Sequence, residues 1–145
     1  MKVRFKKISP SAIEPTRAYA GDAGFDLYAM KDTTIEPGQT VKVSTGIILE
    51  VPEGYYMEIV PRSGLSYKSH LRIPNSPGII DSGYRGELLV MMHNISSDPY
   101  ASYRISQGDR IAQMILRKLE DYELEEAEEL EDSERSGNGF GSSGR

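Results

Sequence analysis

The chain has 145 residues, 38% of them hydrophobic, which is enough for one buried core and close to the usual size of a single domain. It contains no cysteine, so disulfide bonds, thiol chemistry and zinc sites with thiolate ligands are excluded. No segment has the apolar length of a signal peptide or a membrane span, and we expect a soluble, cytoplasmic protein.

The net charge of -5 is unevenly distributed along the chain. Residues 120–134 contain ten acidic residues and no basic one, which leaves 17 Lys and Arg against 12 Asp and Glu elsewhere. Such a basic excess suits a polyanionic ligand such as a triphosphate. It is too small to indicate binding to duplex nucleic acid.

Short strands separated by turns are predicted along most of the chain. Alternating apolar residues, the pattern of half-buried strands, occur at Val3 and Phe5, at Val41 and Val43, and at Tyr55, Met57 and Ile59. Continuous apolar runs at 46–51, 87–92 and 110–116 predict more fully buried strands, with turn signals at 36–39 and 52–54. Only residues 63–69 are predicted to be helical, with Ser63 as the N-terminal cap. This all-β pattern indicates a sandwich, a barrel or a jelly roll.

The composition changes after Leu119, where an acidic linker leads into a glycine- and serine-rich end. On composition alone this tail is a disordered, solubilising end. Phe140, a lone aromatic residue among glycine and serine, suggests the alternative that the tail is an arm that folds over a flat ligand. We expect residues 1–119 to form the domain and residues 120–145 to form the linker and arm.

Two segments place charged groups where they need a partner. Asp26 lies within an apolar stretch at 23–27, which makes it a candidate for the shell of a metal ion, or alternatively a carboxylate that accepts backbone hydrogen bonds at a turn. Pro61–Gly64 presents the Arg62 guanidinium, the Ser63 hydroxyl and free helix-start amides, as an anion site would. The alternative there is an ordinary capped helix with a solvated arginine.

Residues 75–87 suggest a glycine-rich hairpin that encloses a small planar group. Backbone groups and the Asn75 amide would read a base, Tyr84 would pack against a sugar, and Asp81 would reach a water molecule. Alternatively, Asp81 belongs to an ordinary turn and Tyr84 is a strand aromatic.

Residues 108–113 open a buried strand with polar groups. Asp109, Arg110 and Gln113 lie beside apolar neighbours, and such groups require partners. An ion pair across a subunit interface is at least as good an interpretation as a catalytic role for Asp109 and Arg110.

In order and spacing, five segments resemble the motifs of the homotrimeric dUTPase family across nearly the whole chain. The segments are residues 23–27, 61–64, 78–84, 108–113, and Arg135 followed by 139–144. The resemblance implies a jelly-roll subunit and a homotrimer in which each active site takes residues from all three chains. It also implies Mg2+-assisted hydrolysis of dUTP to dUMP and pyrophosphate, with no direct binding of nucleic acid or membrane. This reaction would limit uracil incorporation into DNA and supply dUMP for thymidylate synthesis.

The resemblance further implies a role for each matching residue. Asp81 would orient and deprotonate the attacking water, and Asp26 would hold magnesium through its water shell. The phosphates would be held by Arg62, Ser63, Gly64 and Gln113, and the nucleoside by Asn75, Gly78, Ile80 and Tyr84, with Tyr84 blocking a ribose 2'-hydroxyl. From the arm, Phe140 would cover the uracil, and the substrate would also meet Arg135, Gly141, Ser142 and Ser143.

One feature departs from the family pattern, because Ser136 and Asn138 stand where the family usually has glycine.

The nearest rival activity is that of dCTP deaminase, which has a similar subunit fold; the arm with Phe140 and the segment from Asp81 to Tyr84 favour the pyrophosphatase. A rival of another class is a nucleotide-sensing binding module. The complete set of motif residues argues against that rival.

Overall fold

The computed structural model describes residues 1–133 and 136–137. These residues form ten strands and one helix, which confirms the all-β prediction. In chain order the elements are β1 (Arg4–Lys7), β2 (Phe25–Tyr28), β3 (Thr33–Ile35), β4 (Thr40–Glu50), β5 (Tyr55–Val60), α1 (Ser63–Lys68), β6 (Leu71–Arg72), β7 (Gly78–Ile80), β8 (Glu87–Asn94), β9 (Tyr103–Ile105) and β10 (Arg110–Lys118). Within this part of the chain, α1 is far too short to cross a bilayer, and no other helix is present.

Two four-stranded antiparallel sheets make up the jelly-roll sandwich. One has the order β1-β4-β8-β6 and the other β2-β10-β5-β7, while β3 and β9 form a separate pair. The inward side chains of both sheets meet in one buried apolar cluster, which includes Leu27, Val43, Ile47, Met57, Ile59, Leu88, Val90, Met92 and Ile111. This cluster accounts for the predicted apolar runs at 46–51, 87–92 and 110–116.

Both predicted turns are present. The Gln39 amide donates to the Glu36 carbonyl at 3.0 Å, and the Tyr55 amide donates to the Pro52 carbonyl at 3.2 Å. They join β3 to β4 and β4 to β5. Short connections of this kind allow consecutive strands to lie in the same small domain.

β4 combines two segments that were expected to be separate, the alternating stretch at 41–43 and the apolar run at 46–51. Its register against β8 shifts between Ser44, which pairs with Leu89, and Ile48, which pairs with Glu87. Four steps along β4 therefore match two steps along β8, which is a β-bulge. Gly46 lies in this bulge with φ 71°, and a Cβ there would be 2.5 Å from the Ala12 Cβ and 2.6 Å from the Met30 sulfur. Only glycine fits both the conformation and the space.

β1 differs from its prediction as a half-buried strand. Among the described residues it is an edge strand that pairs only with β4. All four of its residues are exposed, and Phe5 keeps 41% of its surface accessible. The strand was predicted correctly but its burial was wrong, because an edge strand extends past the apolar face that it borders. At the other end, β10 stops at Lys118 and residues 119–133 form neither helix nor strand. The division of the chain near residue 119 stays a prediction.

Candidate active site

A buried carboxylate, that of Asp26, organises one part of the candidate site. Asp26 lies in β2 opposite Gln113 of β10 and is 7% exposed. The Arg62 Nε donates to its Oδ1 at 2.8 Å, Arg110 Nη1 donates to Oδ2 at 3.4 Å, and Gln113 Nε2 lies 3.5 Å from Oδ1. The burial of the charge is thus offset by cations, as the sequence required. The alternatives of a turn carboxylate and a solvated Arg62 do not describe this arrangement.

Asp109 and Arg110 find their partners within the same chain. Arg110 forms an ion pair with Asp26, and the Asp109 Oδ2 accepts a hydrogen bond from the Ser106 amide at 2.8 Å. An ion pair across a subunit interface is not needed to satisfy either residue.

The helix beside Asp26 starts differently from its prediction. Arg62, with extended φ -88° and ψ 131°, is the N-cap, and its carbonyl accepts the Ser66 amide at 3.0 Å. Ser63 is the first helical residue and its hydroxyl makes no capping hydrogen bond, so its prediction as the cap was wrong. The cause is the strand–helix junction, since Arg62 must stay extended to reach Asp26. Ser63 and Gly64 are exposed, which leaves the hydroxyl and the amides of this turn facing outward.

A pocket of about 480 Å³ opens beside this helix. Three basic side chains line it, those of Arg62, Lys68 and Arg110, together with the carboxylate of Asp109. We call it the cationic pocket. Its size falls in the range of small-ligand sites, and its excess of cations suits a phosphate group. Lys68 was not predicted to belong to this site. Its position four residues after Gly64 in a helix places both residues on the same face, and the sequence could have indicated this.

The segment from Asn75 to Glu87 connects the two sheets. β7 pairs with β5, whereas β8 pairs with β4 and β6, so the predicted hairpin between them is wrong. Each strand pairs within its own sheet, and residues 81–86 cross from one sheet to the other. The turn closes with the Tyr84 amide donating to the Asp81 carbonyl at 3.1 Å. Tyr84 is therefore a turn residue and not a strand aromatic.

Gly78 and Asn75 lie in close contact at the start of β7. A Cβ on Gly78 would be 3.3 Å from the Asn75 Nδ2 and 3.4 Å from the Ile59 Cβ. Gly78 pairs with Ile59, and Ile80 pairs with Met57, so both belong to the sheet edge next to β5. The cavity between this edge and β8 has only about 50 Å³, which is well below the usual size of a ligand site.

Asp81 lies at the mouth of a larger space of about 430 Å³, which we call the Asp81 pocket. It is lined by Tyr55, Tyr56, Ile79, Asp81, Ser82, Lys118, Leu119, Glu120 and Tyr122. Asp81 is exposed, so its carboxylate can reach a water molecule. Desolvation and a hydrogen bond to Glu58 raise the pKa of the Tyr56 phenol in the wall of this pocket.

The cationic pocket and the Asp81 pocket lie at opposite ends of β5. Ile80, the residue before Asp81, pairs with Met57, whereas Arg62 lies two residues after Val60, the last residue of β5. Five residues of extended chain from position 57 to position 62 span roughly 16 Å. A single chain thus holds two separate groups of predicted site residues. The first group is Asp26, Arg62, Arg110 and Gln113, and the second is Asn75, Gly78, Ile80, Asp81 and Tyr84.

The predicted arm residues Arg135, Phe140, Gly141, Ser142 and Ser143 lie outside the described residues, as does Asn138. Ser136 is described, and its φ of 46° falls in the left-handed region that glycine adopts most readily. The backbone thus gives a reason for glycine at this position. No group of three or more metal-binding side chains occurs among residues 1–133 and 136–137.

The comparisons with known proteins agree with this architecture. A family model described as dUTPase matches residues 11–144. The deoxyuridine 5'-triphosphate nucleotidohydrolase of Solibacter usitatus is 50% identical over 147 residues, covering 100% of this chain and 97% of that protein. The enzyme of the same name from Rhodococcus erythropolis is 46% identical, covering 99% of this chain and 87% of its own.

Solved structures give the same result. The Staphylococcus bacteriophage 80alpha dUTPase with dUPNHPP superimposes with a TM-score of 0.91 at 32% identity, covering 99% of each chain. A mutant dUTPase from phage phi11 of S. aureus, whose structure concerns the coordination of a structural Mg(II) ion, has a TM-score of 0.82 at 28% identity, covering 89% of this chain and 98% of its own. From the match over nearly all of its length, we conclude that the chain belongs to the dUTPase family.

Proposed function

We propose that the protein hydrolyses dUTP to dUMP and pyrophosphate by in-line attack of water on the α-phosphorus. The observation that carries this proposal is the exposed Asp81 at the mouth of a ligand-sized pocket, in a chain of the dUTPase family. In the cell this reaction would limit uracil incorporation into DNA and supply dUMP for thymidylate synthesis. Release of pyrophosphate from dUTP, compared with dCTP, dTTP and UTP, tests it, and release of ammonia from dCTP would instead identify a deaminase.

Asp81 is the proposed general base. Its exposed position at the start of the turn lets the carboxylate orient a water molecule and accept its proton. The nucleoside would be held by the neighbouring Asn75, Gly78, Ile80 and Tyr84. The tight packing of Gly78 against Asn75 and Ile59 supports selection against a thymine methyl group at this edge.

The residues of the cationic pocket would bind the phosphates. Arg62 is held by Asp26 with its Nε, which leaves the rest of the guanidinium for a ligand. The outward hydroxyl of Ser63, the backbone at Gly64 and the Gln113 amide complete the set. Negative charge that develops on the phosphate oxygens during attack would be stabilised by these fixed donors.

The donor set fits magnesium held through water molecules. Mg2+ commonly keeps several waters and binds one or two carboxylates together with substrate phosphates. Asp26 provides one such carboxylate, and its two oxygens already accept hydrogen bonds from side chains, which matches a shell contact better than direct coordination. When bound, Mg2+ would neutralise phosphate charge.

We further propose a homotrimer with shared active sites. The separation of roughly 16 Å between Arg62 and the start of the Asp81 turn leaves each chain with an incomplete site, given the rise of an extended strand. An apolar groove of about 410 Å³, lined in part by Val3, Phe5, Phe25 and Leu116, lies open on the surface. Tyr122, Leu124 and Leu130 are also exposed, Leu124 by 92%. Apolar residues of this kind suit a subunit contact.

The arm would complete the site. Phe140 would stack on the uracil, while Arg135, Gly141, Ser142 and Ser143 would close on the substrate and its terminal phosphates. The support for this proposal is the family match, which extends to residue 144. Closure would exclude water other than the one that Asp81 positions.

A further inference from the structure

Glu87 occupies a junction between the bulge in β4 and the turn that carries Asp81 and Tyr84. It is the first residue of β8 and pairs with Ile48, the residue of β4 at which pairing resumes after the bulge. A carboxylate that begins an otherwise apolar run needs polar partners. It is half-buried, and its contacts lie on two sides.

On the first side, the Glu87 side chain satisfies the bulge. Its Oε1 accepts a hydrogen bond from the Gly46 amide at 2.8 Å and a second one from the Ser44 hydroxyl. The extra residues of a bulge lose their ladder partners, and a buried amide without a partner is costly. The carboxylate supplies that partner and thereby ties the start of β8 to β4.

On the second side, the Glu87 backbone holds Tyr84. The Tyr84 hydroxyl donates to the Glu87 carbonyl at 3.0 Å. The ring lies so close to Gly86 that a Cβ there would be 2.3 Å from the Tyr84 Oη and 2.5 Å from its Cζ. The ring position therefore depends on a bare backbone at residue 86 and on the placement of the carbonyl at residue 87.

We infer that Glu87 is a positioning residue for discrimination against ribonucleotides, acting on the ring of Tyr84 through the bulge of β4. The inference rests on the proposed role of Tyr84 in blocking a ribose 2'-hydroxyl. A ring that contacts the sugar discriminates only if it cannot move aside, because selectivity in a pocket depends on placement within a fraction of an ångström. Glu87 fixes the carbonyl that the ring's hydroxyl binds.

The test measures the ratio of kcat/KM for dUTP to kcat/KM for UTP. This ratio does not depend on the amount of folded enzyme, so a merely structural role would leave it unchanged. Glu87→Ala should lower the ratio by about tenfold, the scale at which one misplaced group alters discrimination. Glu87→Gln should keep the wild-type ratio, since the single amide oxygen can accept both hydrogen bonds that Oε1 now accepts.

Thr45→Val is the matched control. The Thr45 hydroxyl donates to the Leu88 carbonyl at 2.7 Å and accepts the Ile47 amide at 3.2 Å, so this variant removes two buried hydrogen bonds at the bulge but neither of those that the Glu87 side chain accepts. It should lower stability and leave the ratio at its wild-type value. A ratio that falls equally in Thr45→Val and Glu87→Ala would overturn the inference.

Tyr84→Ala separates the inference from the role on which it rests. If Tyr84→Ala abolishes discrimination while Glu87→Ala does not alter it, the positioning inference alone fails. If Tyr84→Ala leaves the ratio unchanged, the proposed role of Tyr84 fails and the inference fails with it. Should Glu87→Ala not fold, Tyr84→Phe removes the hydrogen bond from the ring to the Glu87 backbone carbonyl, the contact through which Glu87 is inferred to act. A lower ratio supports the inference, and an unchanged ratio overturns it.

Discussion

The Nε of Arg62 donates to the Oδ1 of Asp26 at 2.8 Å, between side chains that are 24% and 9% exposed. The two residues are 36 positions apart in the chain and meet because β2 and β5 both flank β10. The pair thus fixes the guanidinium at the edge of the cationic pocket. Its stability and its function can be tested together.

Asp26→Asn should destabilise the fold by about 1 to 3 kcal/mol, because it leaves a partly buried guanidinium without its charged partner. It should also raise the Mg2+ concentration needed for half-maximal turnover. Urea denaturation gives the first quantity and a magnesium titration of pyrophosphate release gives the second.

Asp32→Asn is the control for this prediction, since Asp32 pairs with Arg104 in an exposed ion pair. Exposed pairs contribute little to stability, so Asp32→Asn should change the denaturation midpoint much less than Asp26→Asn and leave the magnesium dependence unchanged. Equal effects of the two substitutions would contradict the special role of Asp26.

Asp81→Asn should lower hydrolysis by roughly 10² to 10⁴-fold, the range typical of a lost general base. Asparagine is nearly isosteric and can still hydrogen-bond a water molecule, but it cannot accept the proton. A non-hydrolysable dUTP analogue should therefore bind about as well as to the wild-type protein. Pyrophosphate release, analogue affinity and melting temperature are measured on one preparation.

Asp98→Asn provides the comparison for a purely structural turn carboxylate, because the Asp98 Oδ1 accepts the Tyr100 amide at 2.9 Å. Because the asparagine oxygen can still accept the Tyr100 amide, this variant should change melting temperature little and leave turnover per folded molecule unchanged. Near-normal turnover of Asp81→Asn would eliminate Asp81 as the base.

Sedimentation should show a trimer, and two inactive variants should restore activity when they are mixed. Asp81→Asn and Arg62→Gln each remove one group, from pockets at opposite ends of β5. If a site combines these groups from different chains, refolding the two variants together produces some intact sites. In the control, the two variants are refolded separately and assayed together under conditions in which their subunits do not exchange. An active monomer, or no recovery in confirmed mixed trimers, would refute shared sites.

Ending the chain after residue 134 should leave a folded trimer with greatly reduced turnover. The reason is that the arm lies beyond the buried cluster, whose last member is Met114, yet would carry Arg135 and Phe140. Phe140→Ala should be milder, weakening the closed complex by roughly 1 to 3 kcal/mol, the usual range for one stacked base. Circular dichroism checks the fold and steady-state kinetics checks the loss. Unchanged kinetics in the shortened chain would mean that the arm is only a tail.

Much of the architecture could be predicted from local pattern. The alternation at Tyr55, Met57 and Ile59 became β5, and the runs at 87–92 and 110–116 became β8 and β10. Period-2 hydrophobicity and turn residues depend on the backbone conformation of a few neighbouring positions, so they predict strands and turns without knowledge of the tertiary structure. The family was also recognisable from the order of the five segments, as the family match confirms.

Which strands pair with each other could not be predicted from the sequence in the same way. The segment around Asp81 was predicted as a hairpin, but β7 and β8 belong to different sheets. The helix was predicted to be capped by Ser63, but Arg62 occupies the cap because it is extended toward Asp26. In both cases a partner distant in sequence outweighed the local preference.

The sequence by itself determined the strand-rich fold, the basic character of residues 1–119 and the residue types available for chemistry. Tertiary structure alone decided which of them meet: Asp26 with Arg62, Glu87 with Gly46, and the placement of Asp81 at the other end of β5 from Arg62. Hydrophobic periodicity is a property of neighbouring residues, whereas charge pairing and site geometry depend on contacts that form only when the sheets assemble.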